Sequence, residues 1–199
     1  MPGWRVRAGV ALLIAALGVI GSPVMAEQAL PAFVLPASLN LPDDYRQHWQ
    51  KLSDASLSGL HWNQVVVLYS NTAGEDYAFN QERWREQRQN AGWTSTALPL
   101  PEYRAYPEGT VLIKESFARQ SDETLTPAML AIMIKRAPGF DAEHGDWEYL
   151  QTTATGDIVA RGAASDKPVA DVCGGCHQGV AERDFVFATT GFINSAANN

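Results

Sequence analysis

Gly109-Thr110-Val111-Leu112-Ile113-Lys114-Glu115-Ser116-Phe117 reads as a β-strand, because β-branched and large apolar residues dominate it and no helix cap precedes it. Working outward, Val65–Tyr69 is a second β-branched run, and Asn71–Gly74 is a turn cluster. Between the two strands, Asp76–Asn90 suits a helix with Trp84 facing inward among Glu, Arg and Gln, and Asn90-Ala91-Gly92 ends it. Thr94–Pro107 holds three prolines and little periodicity, as expected of a long surface loop. Met129–Arg136 is open between helix and strand. Thr126-Pro127 could start a helix, while Ile132, Ile134 and the Pro138-Gly139 turn favour a strand. Trp147–Thr153 and Ile158–Arg161 form a strand pair around Ala154-Thr155-Gly156-Asp157. Upstream, Ala29–Leu41 is an extended, Pro- and Leu-rich lead-in. Pro42 opens a helix with Asp43 and Asp44 at its positive end, and Tyr45, Trp49 and Leu52 share one face. Asp54–Gly59 is expected as a loop. The expected architecture is an α+β single domain with four or five largely antiparallel strands, a few helices and a C-terminal attachment segment.

That segment is Cys173-Gly174-Gly175-Cys176-His177, which contains both cysteines of the chain. C-x-x-C-H is the attachment signature of a c-type haem. Each thiol can add across one haem vinyl group, and the adjoining imidazole supplies the proximal iron ligand. The expectation is one covalent haem c on Cys173 and Cys176, with His177 on the iron. Other readings are weaker. A zinc site wants four protein ligands. A thioredoxin-like pair would lie near a βαβ pattern. A Cys173–Cys176 disulfide is the plain alternative. A small helical cytochrome c carries its motif early and a methionine ligand downstream, whereas here the motif is late and no Met follows His177.

The N-terminus supports the same chemistry. Arg5 and Arg7 form a basic start, Val10–Ile20 is a short apolar run, and Val24-Met25-Ala26 is a small-x-small cleavage site. Residues 1–26 read as a secretory signal cleaved after Ala26, which leaves residues 27–199 as the mature, periplasmic domain. An uncleaved anchor is the alternative. No later stretch is long and apolar enough for a membrane helix. The leader takes two positive charges and no acids with it, so the formal charge falls from −7 to −9. That balance argues against nucleic acid and anionic membranes as partners and permits a basic redox partner.

An ordered set of segments resembles the cytochrome P-460 family, which includes the cytochromes c-prime-beta. The set is His61-Trp62-Asn63-Gln64-Val65-Val66-Val67 with Tyr69-Ser70-Asn71; Tyr106-Pro107-Glu108-Gly109-Thr110-Val111 running into Lys114-Glu115; Gly145-Asp146-Trp147-Glu148-Tyr149; and the attachment motif followed by Asp184-Phe185-Val186-Phe187. The resemblance covers nearly all of the mature chain. It implies a β-rich domain with one haem c, a proximal His and often an open distal side. It also implies nitric oxide binding, or in some members hydroxylamine oxidation, and it allows a homodimer. The catalytic branch of the family bonds a lysine to the haem, and of Lys51, Lys114, Lys135 and Lys167 the strand residue Lys114 is the best positional candidate. Its plain reading is an exposed or salt-bridged strand lysine.

Glu115 and Glu148 are candidates for pocket acids that relay protons, against the plainer reading of paired carboxylates on strands. His61 and His144 are candidate distal groups, against the reading of hydrogen-bonded loop histidines. His48 is expected to be exposed. Met129 and Met133 are expected in the core rather than on the iron, and Phe117, Phe140, Phe185 and Phe187 are candidates to wall the haem. Three functions remain open: binding of nitric oxide or a related small nitrogen oxide at an open iron, hydroxylamine oxidation at a lysine-modified haem, and simple electron transfer at a six-coordinate iron.

Overall fold

The structure is a computed structural model and describes residues 30–91 and 102–187. The proposed leader, most of the Thr94–Pro107 loop and the C-terminal tail lie outside the described residues. Among the described residues seven strands form one antiparallel sheet: β1 (Gln50–Lys51), β2 (Ser56–Ser58), β3 (Gln64–Ser70), β4 (Val111–Arg119), β5 (Leu125–Lys135), β6 (Trp147–Thr153) and β7 (Ile158–Ala163). The order is β1-β3-β4-β5-β6-β7, with β2 also paired to β3, so one edge of the sheet is split between two short strands. Helix α1 (Tyr45–His48) precedes β1, and α2 (Gly74–Ala91) connects β3 towards β4. After β7 the chain winds through α3 (Lys167–Val169), a π-helical stretch at Ala170–Gly174, α4 (Gly175–His177) and a 3-10 stretch at Gln178–Arg183. Among the described residues no helix is long and apolar enough to cross a membrane.

The α+β single domain is as expected, with three differences. Met129–Arg136 resolves as strand, within the longer β5. The helix from Pro42 is one turn long, because Gln50 and Lys51 leave it to pair with Ser70 and Tyr69. Asp54–Gly59 is not all loop. Ser56, Leu57 and Ser58 pair with Val66, Val65 and Gln64.

Successive strand side chains point to opposite faces, and here both faces are covered, so β4 is buried almost throughout. One face carries Val67, Tyr69, Ile113, Phe117, Leu130, Ile132 and Leu150 and is roofed by Phe33, Leu35, Leu39, Leu41, Tyr45 and Trp49 of the N-terminal segment. Burying each of these large side chains stabilises the fold by roughly 1.5–3 kcal/mol before entropy is counted. The other face carries Leu68, Leu112, Met133 and Tyr149, and packs with Val169, Cys173, Phe185 and Val186 of the C-terminal segment. The site lies on this second face.

Candidate haem site

Cross-strand register builds one wall of the site. Leu68, Lys114, Ala131 and Gln151 form one row across β3 to β6, and Ser70, Leu112, Met133 and Tyr149 form the next. The facing wall is the helical segment with Val172, Cys173, Cys176 and His177. Between them is a cavity of about 440 Å³, with an apolar lining apart from a few polar groups, a size usual for a ligand site. Gly174 lets the segment come this close. A Cβ there would lie 2.2 Å from the Ala164 carbonyl oxygen. The π-helical winding lies on the same residues, and such turns are common at functional sites.

The His177 ring is fixed by three contacts. Its Nδ1 lies 2.6 Å from the Phe185 carbonyl oxygen. Tyr149 and Phe187 meet the ring edge-on, at centroid distances of 5.3 and 5.2 Å. A carbonyl only accepts, so Nδ1 carries the proton and Nε2 keeps its lone pair. Burial lowers the imidazole's pKa to about 4, against the opposing pull of the Phe185 carbonyl, so the ring is neutral at ordinary pH. Both cysteines are free thiols. Cys173 is partly buried and Cys176 is exposed, and burial raises the pKa of Cys173. Two thiols and one oriented neutral imidazole on an apolar cavity fit a covalently held haem. Cys173 and Cys176 would tether it, and His177 Nε2 would face the iron. On the sheet wall opposite, Tyr149 Oη is buried with no hydrogen-bond partner among the described residues, a polar atom to which a bound group can offer one.

Strand alternation separates the other candidates. Lys114 lines the cavity and is only partly buried. It is not the solvated strand lysine expected, and burial lowers its pKa to about 8, with Cys173 and Cys176 opposing the shift. Its neighbour Glu115 points to the opposite face, fully buried, where it accepts from the Tyr45 hydroxyl and from Arg46 Nε, the latter at 2.5 Å. Glu148 also faces away, held by Arg136 and by Arg161 Nε at 2.7 Å. Neither carboxylate lines the cavity, so the structure gives neither a position from which to relay protons there.

His61 does line the cavity, with Nδ1 2.7 Å from Ser58 Oγ. Burial, with Lys114 and His177 adding to it, lowers its pKa to about 3. His61 precedes two consecutive non-glycine residues in the left-handed region, Trp62 and Asn63. His144 lies elsewhere, on Asp141. Met129 and Met133 line the cavity, and Gln151 Nε2 donates to the Met129 sulfur at 3.4 Å. Of the four phenylalanines, Phe187 lines it. Phe117 is in the opposite core, Phe140 is exposed, and Phe185 packs beside His144.

Lys114 gives a direct test of this environment. Its folded-state pKa lies below the unfolded value of 10.5, so the charged form is penalised in the fold. That penalty is full below about pH 8 and vanishes above pH 10.5. Lys114→Met is therefore expected to raise stability at pH 7 by at most ~3 kcal/mol. Urea unfolding of both proteins at pH 7 and pH 10 should show the gain shrinking at the higher pH.

A family model described as Cytochrome P460 matches residues 42–188. No curated protein matches the chain.

Proposed function

Since the chain belongs to the cytochrome P460 family, whose members bind haem, we propose that it carries one covalent haem c on Cys173 and Cys176, with His177 as proximal ligand, and that it binds nitric oxide or a related small nitrogen oxide at an open iron position. The observation that supports this best is the apolar cavity between the sheet face and the helical segment, with a neutral, oriented imidazole on one wall. When bound, the haem supplies an iron centre that takes up a diatomic ligand and exchanges electrons. Leu68, Leu112, Ala131 and Met133 exclude water and favour an uncharged gas over an anion. His177 is held at one tautomer by Phe185, so no proton has to move for Nε2 to donate its lone pair. The reading includes export through residues 1–26, a periplasmic location and a basic redox partner. N-terminal sequencing of the exported protein should begin at Glu27.

The test is an absorption spectrum of the reduced protein with and without nitric oxide. A five-coordinate spectrum that changes on adding the gas is expected. A six-coordinate, low-spin spectrum that nitric oxide leaves unchanged would support the electron carrier instead, with His61, Met129 or Met133 as the second ligand.

One observation favours a second reading, hydroxylamine oxidation at a lysine-linked haem. Lys114 lines the same cavity as the two cysteines, and its lowered pKa leaves a usable fraction of neutral amine near pH 8. A tryptic peptide joining Lys114 to the Cys173–His177 peptide through the haem would establish the link. An ordinary haem c spectrum without that peptide leaves gas binding as the better account and catalysis of this type unsupported.

A further inference from the structure

Two consecutive non-glycine residues, Asp184 and Phe185, have left-handed backbones at φ 53° and 63°. Such conformations cost of order 1–3 kcal/mol each and persist where surrounding structure holds them. Here they form the reversal that brings the Phe185 carbonyl back to His177 Nδ1. Asp184 ties that reversal to three parts of the fold. Its carboxylate receives Lys135 Nζ of β5 on both oxygens, at 2.7 Å each. The same carboxylate accepts the Tyr106 backbone N–H at 2.8 Å, from the approach to β4. Its own carbonyl accepts Trp147 Nε1 of β6 at 2.8 Å. The ion pair is nearly buried, with 12% and 10% of the Lys135 and Asp184 side chains exposed, and Lys135 Nζ also sits over the Trp147 ring, 4.9 Å from its centroid. Gly145 closes the packing. A Cβ there would meet Asp184 Oδ1 at 2.7 Å and the Phe185 ring at 2.8 Å.

From this geometry we infer that Asp184, through its ion pair with Lys135, is a positioning residue for the proximal imidazole. It holds the Phe185 carbonyl where it accepts the Nδ1 proton, and so sets how electron-rich the nitrogen on the iron is. A ligating histidine whose other N–H donates to a fixed acceptor becomes a stronger base. Loosening the acceptor makes the ligand a weaker donor and favours the reduced iron. The inference rests on His177 being the axial ligand.

The experiment uses the haem-loaded protein. Asp184→Asn keeps the shape, removes the charge and turns an amide towards Lys135. Lys135→Met removes the cation and serves where the first variant fails to fold. Both should lower the iron–imidazole stretching frequency of the ferrous protein in resonance Raman. Both should raise the midpoint potential by about 30–60 mV, a three- to tenfold change in the one-electron equilibrium. Glu148→Gln, which disrupts a buried carboxylate on the far face of the sheet, is the control. It should lower stability and move neither readout. If the Asp184 and Lys135 variants lose stability with frequency and potential unchanged, Asp184 is structural only and the inference is overturned. If His177→Ala leaves the iron–imidazole band in place, the axial role of His177 falls, and this inference with it.

Discussion

Replacing Cys173 and Cys176 together by alanine is expected to abolish retention of haem through acidified organic solvent, while the unaltered protein keeps its colour in the precipitate. Both thiols are free in the structure, and both line the cavity that holds His177. Gly174 packs its backbone against Ala164, so the spacing of the two cysteines is set by a contact that admits no side chain. The double substitution removes both proposed tethers and leaves His177 with its bond to Phe185. His177→Ala should do the converse, keeping the haem on the chain and changing its spin state. Haem that leaves the unaltered protein with the solvent would show that attachment is not covalent.

Arg46→Met should be strongly destabilising, at up to about 3–5 kcal/mol, the cost of leaving a buried charge without its partner. A quarter of the Arg46 side chain is exposed. Glu115 is fully buried, its Oε1 accepts from Tyr45 and Arg46, and its Oε2 has no partner among the described residues. Without the guanidinium, a carboxylate would remain in an apolar core with one hydroxyl to bond. Arg46 also donates to the carbonyls of Leu30 and Pro31, at 2.9 and 2.6 Å, so the N-terminal segment would loosen as well. Adding Glu115→Leu should recover much of the loss, because two uncharged residues leave no unpaired charge. The haem spectrum of both variants should match that of the unaltered protein, since this cluster is on the far face of the sheet. Urea unfolding together with an absorption spectrum checks both points. A single-variant loss under about 1 kcal/mol would mean the pair is well hydrated.

The sheet was legible because its strands are strongly apolar. β6 begins and ends where alternation and the Thr155-Gly156 turn place it. What was hidden depends on pairing. Tyr45, Trp49 and Leu52 have helical spacing, yet Gln50 and Lys51 pair with β3, and tertiary hydrogen bonds outweigh local periodicity. Ser56-Leu57-Ser58 carries almost no strand propensity and is a strand because β3 is beside it. In the candidate site, the spacing of Cys173, Cys176 and His177 already grouped the three residues that line one cavity. The opposite orientations of Lys114 and Glu115 were readable too, since neighbours on a strand cannot share a face. Lys135 and Asp184 are 49 positions apart, and nothing local to either marks the pair. The same holds for the Phe185 carbonyl, a backbone atom with no signature in side-chain pattern.

The roof over the far face of the sheet has a practical corollary. The family match begins at residue 42, which invites a chain cut there for expression or for grafting the domain onto another protein. Phe33, Leu35, Leu39 and Leu41 all precede that point, and all pack on the core. A chain trimmed to the matched boundary would leave a broad apolar face on Val67, Tyr69, Ile113 and Ile132 open to water, and such a face drives aggregation. The unit to transplant therefore begins by residue 30, twelve residues ahead of where family likeness starts.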